Sequence, residues 1–122
     1  MLRPFLLAAT LLAALPAQAE TLRRCGWFHN PTPANLQLRD ADGRWWVQMQ
    51  GSPAAPGFEP AYERANGGAQ EWVRENVGDY GYGCACIDGE FGPVGSTDVL
   101  SVKRFTPLPL ATCRQDPALP AP

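Results

Sequence analysis

The chain has 122 residues, 10 basic and 12 acidic side chains, and a formal net charge of −2. A length of this order holds one domain with a modest core. The lack of a basic excess argues against nucleic acid or an anionic membrane as partner, because either would demand a positive face. The N-terminus carries Arg3, an apolar run from Phe5 to Leu15, the breaker Pro16, and Ala17-Gln18-Ala19 ahead of Glu20. That succession has the anatomy of an export signal, residues 1–19, cleaved after Ala19. The apolar run falls short of the about 20 residues that cross a bilayer as a helix. Leu22-Arg23-Arg24 before Cys25 lacks the small residues of a lipoprotein processing site. The expected product is therefore periplasmic or secreted, with no membrane span in its mature form: a single domain over residues 20–116 and a proline-rich tail, 117–122, that frays.

An even cysteine count after an export signal predicts oxidation in pairs. Cys84 and Cys86 are one residue apart, so each is expected to bond to a distant partner. Cys25 takes one of them and Cys113 the other, as Cys25-Cys84 with Cys86-Cys113 or as Cys25-Cys86 with Cys84-Cys113. If residues 80–87 are extended, both sulfurs leave the same face and pin the two ends of the chain to one central strand. Loops of about 60 and about 30 residues are worth about 4 and about 3.5 kcal/mol in the chain-entropy treatment, which does not separate the pairings.

Asp42-Gly43 is the strongest turn signal, predicting a hairpin in which Leu38 faces Val47 and Leu36 faces Met49. Trp45 shares that apolar face. Gln37, Arg39, Trp46, Gln48 and Gln50 occupy the other, with Trp46 across from Arg39. Gly51 to Gly68 is rich in breakers and reads as a long loop. Ala69 to Val77 is predicted to form a short amphipathic helix, ended by Gly78 and docked through Trp72. From Tyr80 to Ile87 large and small residues alternate, so Tyr80, Tyr82, Cys84 and Cys86 share one face of a strand. Gly81, Gly83, Ala85 and Ile87 share the other, where an aromatic ring such as Trp72 or Trp27 can lie on the backbone. Asp88 to Thr97 reads as a connection and Val99 to Phe105 as a further strand. The fold class is thus β-rich α+β: a small antiparallel sheet of about four strands, one short helix and two disulfides.

Several of these pieces, in order, resemble the bacterial domain-of-unknown-function family 4087. They are Arg24-Cys25-Gly26-Trp27, Asn30-Pro31-Thr32-Pro33, Asp42-Gly43-Arg44-Trp45, Tyr80 through Cys86, and Pro109 through Cys113-Arg114 to Asp116. The resemblance implies a small exported domain and supplies no activity. The longer, proline-rich stretch between Gly51 and Gly68 departs from the family pattern, which puts any shared site elsewhere.

No grouping of side chains marks an enzyme. His29 is the only histidine; a catalytic role would need it beside an activated hydroxyl or thiol, and Trp27-Phe28-His29-Asn30-Pro31 reads instead as a turn. Asp40, Asp42 and Glu90 lack the arrangement of an acid/base pair and read as solvated. Cys84-Ala85-Cys86 could serve a metal or a redox dithiol, and a thiol redox or metal-binding protein is the alternative function. Disulfide formation is the simpler reading, and no cofactor is expected. Trp46 with Arg39, and Tyr80 with Tyr82, could form an exposed platform, since interfaces favour these residue types. The competing reading is a Trp46–Arg39 cation–π pair worth about 0.5 to 1 kcal/mol, with the tyrosines covering the disulfides. The leading expectation is a non-catalytic binding module of the envelope whose partner is a protein or cell-wall component, one version being an inhibitor of a hydrolase such as lysozyme.

Overall fold

The computed structural model describes residues 1, 9–13 and 20–122, so most of the expected export signal lies outside the described residues. Alternating side chains build the first strand, β1 (Leu22–Asn30), in which Arg24, Gly26 and Phe28 face one way and Cys25, Trp27 and His29 the other. It is followed by β2 (Leu36–Asp40), β3 (Gly43–Gln48), helix α1 (Phe58–Arg64), a 3₁₀ turn (Gly67–Ala69), β4 (Val73–Arg74), β5 (Gly81–Phe91), β6 (Val99–Leu108) and helix α2 (Leu110–Arg114). All pairings are antiparallel, in the order β3-β2-β1-β5, with β4 and β6 sharing the far edge of β5. The sheet curls until its margins meet: Trp46 of β3 bridges Asp98, and its backbone N–H donates to the Thr97 carbonyl at 2.9 Å.

The curl gives the sheet an inside and an outside. Phe28, Leu38, Trp45, Val47, Ala85, Ile87, Phe91, Val102 and Phe105 fill the inside, and α1 caps it with Phe58 and Ala61. Full burial of each large apolar side chain contributes about 1.5 to 3 kcal/mol. Trp27, Cys84, Leu110 and Cys113 form a smaller cluster outside, under α2. The close crossing of β1 and β2 requires Gly26, where a Cβ would strike the Arg39 carbonyl oxygen.

The β-rich antiparallel sheet and its two disulfides are as expected, with six strands in place of about four. The bridges are Cys25–Cys86 and Cys84–Cys113, which resolves the pairing and ties both ends of the fold to β5. The hairpin keeps the expected face but shifts its register: Leu38 pairs with Trp45 and Gln37 with Trp46, and a bulge sets Leu36 against Gln48. Asp40 is the cause. Its carboxylate Oδ1 accepts the backbone N–H groups of Asp42 and Gly43 at 2.9 and 3.1 Å, moving the turn to Ala41-Asp42. Arg39 consequently faces Arg44, not Trp46.

Two expectations along the second half of the chain need correction. The helix lies at Phe58–Arg64, inside the stretch read as a loop, while the segment read as a helix contains β4 and turns. Pairing of Val73 and Arg74 with Tyr82 and Gly81 overrides the helical periodicity there. The Trp72 ring lies against Gly83, where a Cβ would come within 2.9 Å of it, as the glycine-lined face of β5 allows. The strand also continues to Phe91 instead of ending before Asp88. The C-terminal residues cross the outside of the sheet, where the Trp27 indole N–H donates to the Pro120 carbonyl at 3.0 Å.

Candidate functional site

Where the curled sheet meets α1 and β4, its inner face opens into a cleft of about 690 Å³. Phe28 and Asn30 come to it from β1, Leu36 from β2, Phe58 and Tyr62 from α1, and Gln70, Trp72 and Arg74 from the segment around the 3₁₀ turn and β4. The walls are aromatic: Phe28 lies 6.4 Å from both Tyr62 and Trp72, and Tyr62 lies 5.4 Å from Phe58, between ring centroids. Trp72 is held by its indole N–H, which donates to the Asp79 carbonyl at 2.9 Å. Burial raises the pKa of Tyr62 against the opposing effect of a hydrogen bond with Gln70, so its hydroxyl stays protonated at neutral pH. Asn30 Oδ1 and Gln70 Oε1 are buried with no hydrogen-bond partner among the described residues. At the rim, Arg74 and Asp79 pair at 3.0 Å, both largely exposed, so the entrance carries no net charge from these two side chains.

Outside the sheet a shallower depression of about 380 Å³ is lined by Arg39, Arg44, Trp46 and Pro120 among others. Trp46 and Arg39 do come together here, but the guanidinium over the Trp46 ring, at 6.0 Å, belongs to Arg44. Tyr82 is on the same face, packed edge-on against Trp27 at 5.3 Å within the disulfide cluster. Tyr80 precedes β5 and lines neither cleft; its carbonyl accepts the Glu75 N–H at 2.9 Å. His29 is buried beside Tyr82, at 5.2 Å between rings. Burial lowers its pKa, with Glu75 acting in the opposite sense and Arg39 and Arg44 adding to the lowering. All four cysteine sulfurs are paired, in the Cys25–Cys86 and Cys84–Cys113 disulfides.

A third grouping is structural. Arg24 Nη1 reaches Asp40 Oδ2 at 3.0 Å and Asp42 Oδ2 at 2.8 Å, while its guanidinium lies 4.1 Å over the Trp45 ring. Asp40 Oδ1 also accepts the Trp45 indole N–H at 3.0 Å. Burial alone would lower the pKa of Arg24; Asp42 and Asp40 outweigh it and raise the value, so the group is a permanent cation. Asp40 and Asp42, read as solvated, thus lock β1 to the β2–β3 turn.

A family model described as protein of unknown function (DUF4087) matches residues 19–120. The chain belongs to DUF4087. No curated protein and no solved structure matches it. The segments that carried the DUF4087 resemblance are mostly those that hold the frame: Arg24, Gly26, Trp27, Asp42, Trp45 and the four cysteines. Only Asn30 among their side chains enters the larger cleft. Tyr62 and Gln70 are not distinguished by the sequence, because they converge from segments that only the α1–β4 arrangement brings together.

Proposed function

We propose that this domain is a non-catalytic binding module of the bacterial envelope, with a protein or cell-wall component as its partner, and that the aromatic cleft beside α1 is its contact site. The supporting observation is that cleft itself: a concavity of ligand size, walled by Phe28, Phe58, Tyr62 and Trp72. Its titratable lining supports binding over turnover. Tyr62 is held protonated, and Arg74 and Asp79 are engaged with each other. The disulfide frame suits an oxidising compartment.

A plug tests this reading. Gly68 lines the cleft, and a Cβ there meets nothing within 4 Å, so Gly68→Trp places a bulky ring at the mouth without disturbing the backbone. Crosslinked capture from envelope fractions is expected to recover a partner with the wild-type protein and to lose it with Gly68→Trp. Equal recovery by both would remove the cleft as the contact site.

A further inference from the structure

We infer that the depression on the outside of the sheet is a second site, binding the phosphate monoester of a small organic molecule between Arg39 and Arg44, with the body of that molecule against Trp46. It shares no residue with the aromatic cleft. Asp40 imposes the register on which the site depends. By moving the turn to Ala41-Asp42 it sets Arg39 directly opposite Arg44, and like charges facing each other across two strands repel. Neither has a carboxylate partner among the described residues, whereas Arg23, Arg24 and Arg74 each do. Asp40 also lines the depression, but its oxygens are taken by Arg24, the Asp42 and Gly43 N–H groups and the Trp45 indole. The positive pair is left unanswered, and an anion entering there removes the repulsion as it binds.

Three segments distant in sequence close around the pair. The hairpin supplies Arg39, Arg44 and the half-buried Trp46, the β5–β6 connection supplies Thr97, and the C-terminal tail supplies Pro120. Thr97 holds a φ of 66°, rare for a β-branched residue, and its carbonyl accepts the Trp46 backbone N–H at 2.9 Å. Pro120 is fixed through its carbonyl by the Trp27 indole. Walls held in this way require little ordering on binding. The charge of the pair is felt beyond it: burial is the main cause that lowers the pKa of His29, and Arg39 and Arg44 lower it further. Glu75, which opposes them at His29, does not line the depression. Two guanidinium forks call for two negative charges on one group, which a phosphate monoester carries and a carboxylate or a sulfate ester does not. Its oxygens can accept from both forks at once. The Arg44 guanidinium lies 6.0 Å from the Trp46 ring, so a phosphate on Arg44 brings the rest of its ligand within reach of that ring. At about 380 Å³ the depression lies within the about 300 to 1,000 Å³ of small-ligand sites.

Four probes share one ring and differ in charge: phenyl phosphate, phenyl sulfate, benzoate and phenol. Inorganic phosphate supplies the group without a body. Each is titrated into the oxidised protein at constant ionic strength and about pH 7.5, where the monoester is a dianion. The indole N–H resonances are followed by NMR, that of Trp46 being assigned with Trp46→Phe. A saturable shift of the Trp46 signal with phenyl phosphate is expected, with phenyl sulfate and benzoate at least about tenfold weaker and phenol inert. Arg39→Gln and Arg44→Gln, each confirmed as folded by its melting curve, are expected to weaken phenyl phosphate at least about tenfold. Arg104→Gln, on β6 outside the depression, removes the same charge and is expected to leave binding unchanged. Phenyl sulfate or benzoate bound as tightly as phenyl phosphate would overturn the phosphate, and phenol bound as tightly would overturn the anion site altogether. Equal weakening by Arg104→Gln would assign the effect to net charge and overturn the roles of Arg39 and Arg44. Inorganic phosphate bound as tightly as phenyl phosphate would overturn the contact with Trp46. No shift with any probe would overturn the site, a result that leaves the aromatic cleft to its own test with Gly68→Trp.

Discussion

Asp40→Ala is expected to be among the most damaging substitutions in the domain, and its magnitude can be worked from the contacts. The Asp40 side chain is 7% exposed and holds Arg24 at 3.0 Å, itself 10% exposed. Its other oxygen serves three donors, the Asp42 and Gly43 N–H groups and the Trp45 indole. Truncation strands all of these at once. Breaking a buried ion pair from one side costs about 3 to 5 kcal/mol, which is a large part of the about 5 to 15 kcal/mol that stabilises a domain. Asp42 provides the contrast: it approaches Arg24 more closely, at 2.8 Å, yet is 55% exposed. Solvent screening limits such a contact to about 1 kcal/mol or less. Asp40→Asn keeps an acceptor and loses the charge, and is expected to fall between. Guanidinium denaturation of the oxidised proteins, followed by tryptophan fluorescence, gives the order Asp40→Ala, Asp40→Asn, Asp42→Ala from least to most stable. At about 4 to 8 °C per kcal/mol, Asp40→Ala lowers the melting temperature by at least about 12 °C. If Asp42→Ala costs as much as Asp40→Ala, the shorter distance outranks burial and the reasoning fails.

Burial lowers the folded-state pKa of His29 from 6.5, so the unfolded chain binds the proton more readily and acid favours unfolding. The stability contribution is complete above pH 6.5 and declines as pH falls through 6.5 toward the folded value, with a slope of at most about 1.4 kcal/mol per pH unit. His29→Gln is expected to flatten that part of the pH–stability curve, and an unchanged slope would assign the effect to other groups. Gly26→Ala drives a Cβ into the Arg39 carbonyl and is expected to cost at least about 1 to 3 kcal/mol as overpacking. Gly68→Ala, which meets nothing within 4 Å, stays within about 0.5 kcal/mol by the same denaturation assay. The double variant Cys84→Ser, Cys113→Ser removes a bridge of sequence separation 29, worth about 3.6 kcal/mol by loop entropy. It is expected to titrate no free thiol, since Cys25 and Cys86 remain bonded; two reactive thiols would contradict the pairing.

Much of the frame was legible because it rests on short-range rules. Alternation along Tyr80 to Ile87 placed Cys84 and Cys86 on one face and the glycines on the other, where Trp72 lies on Gly83. The hairpin face was equally plain, yet its register was not, since a buried carboxylate capturing two turn amides outweighs the preference of Asp42-Gly43 for the turn centre. Helix α1 carried its own signal: Phe58, Ala61, Tyr62 and Ala65 are spaced as one helical face. Pro60 obscured it, although proline is tolerated in a first turn, where backbone N–H groups have no helical partner. The cleft was the least legible feature. Asn30 and Gln70 are ordinary polar residues in sequence and become distinctive only when folding leaves both amide oxygens buried without partners.

The disulfide pairing has a consequence for cut chains. Cys84 precedes Cys86, so the loop closed by Cys25–Cys86 overlaps the loop closed by Cys84–Cys113. Every peptide bond between Cys25 and Cys113 therefore lies inside at least one covalent ring. A single proteolytic nick anywhere in that span, including the turns flanking α1, yields a two-chain molecule that keeps its mass and its register until it is reduced. The alternative pairing would have left the bonds around Ala85 outside both rings, so that one cut in the central strand released half the domain. The order of two neighbouring cysteines thus separates a domain that survives a nick from one that comes apart at it.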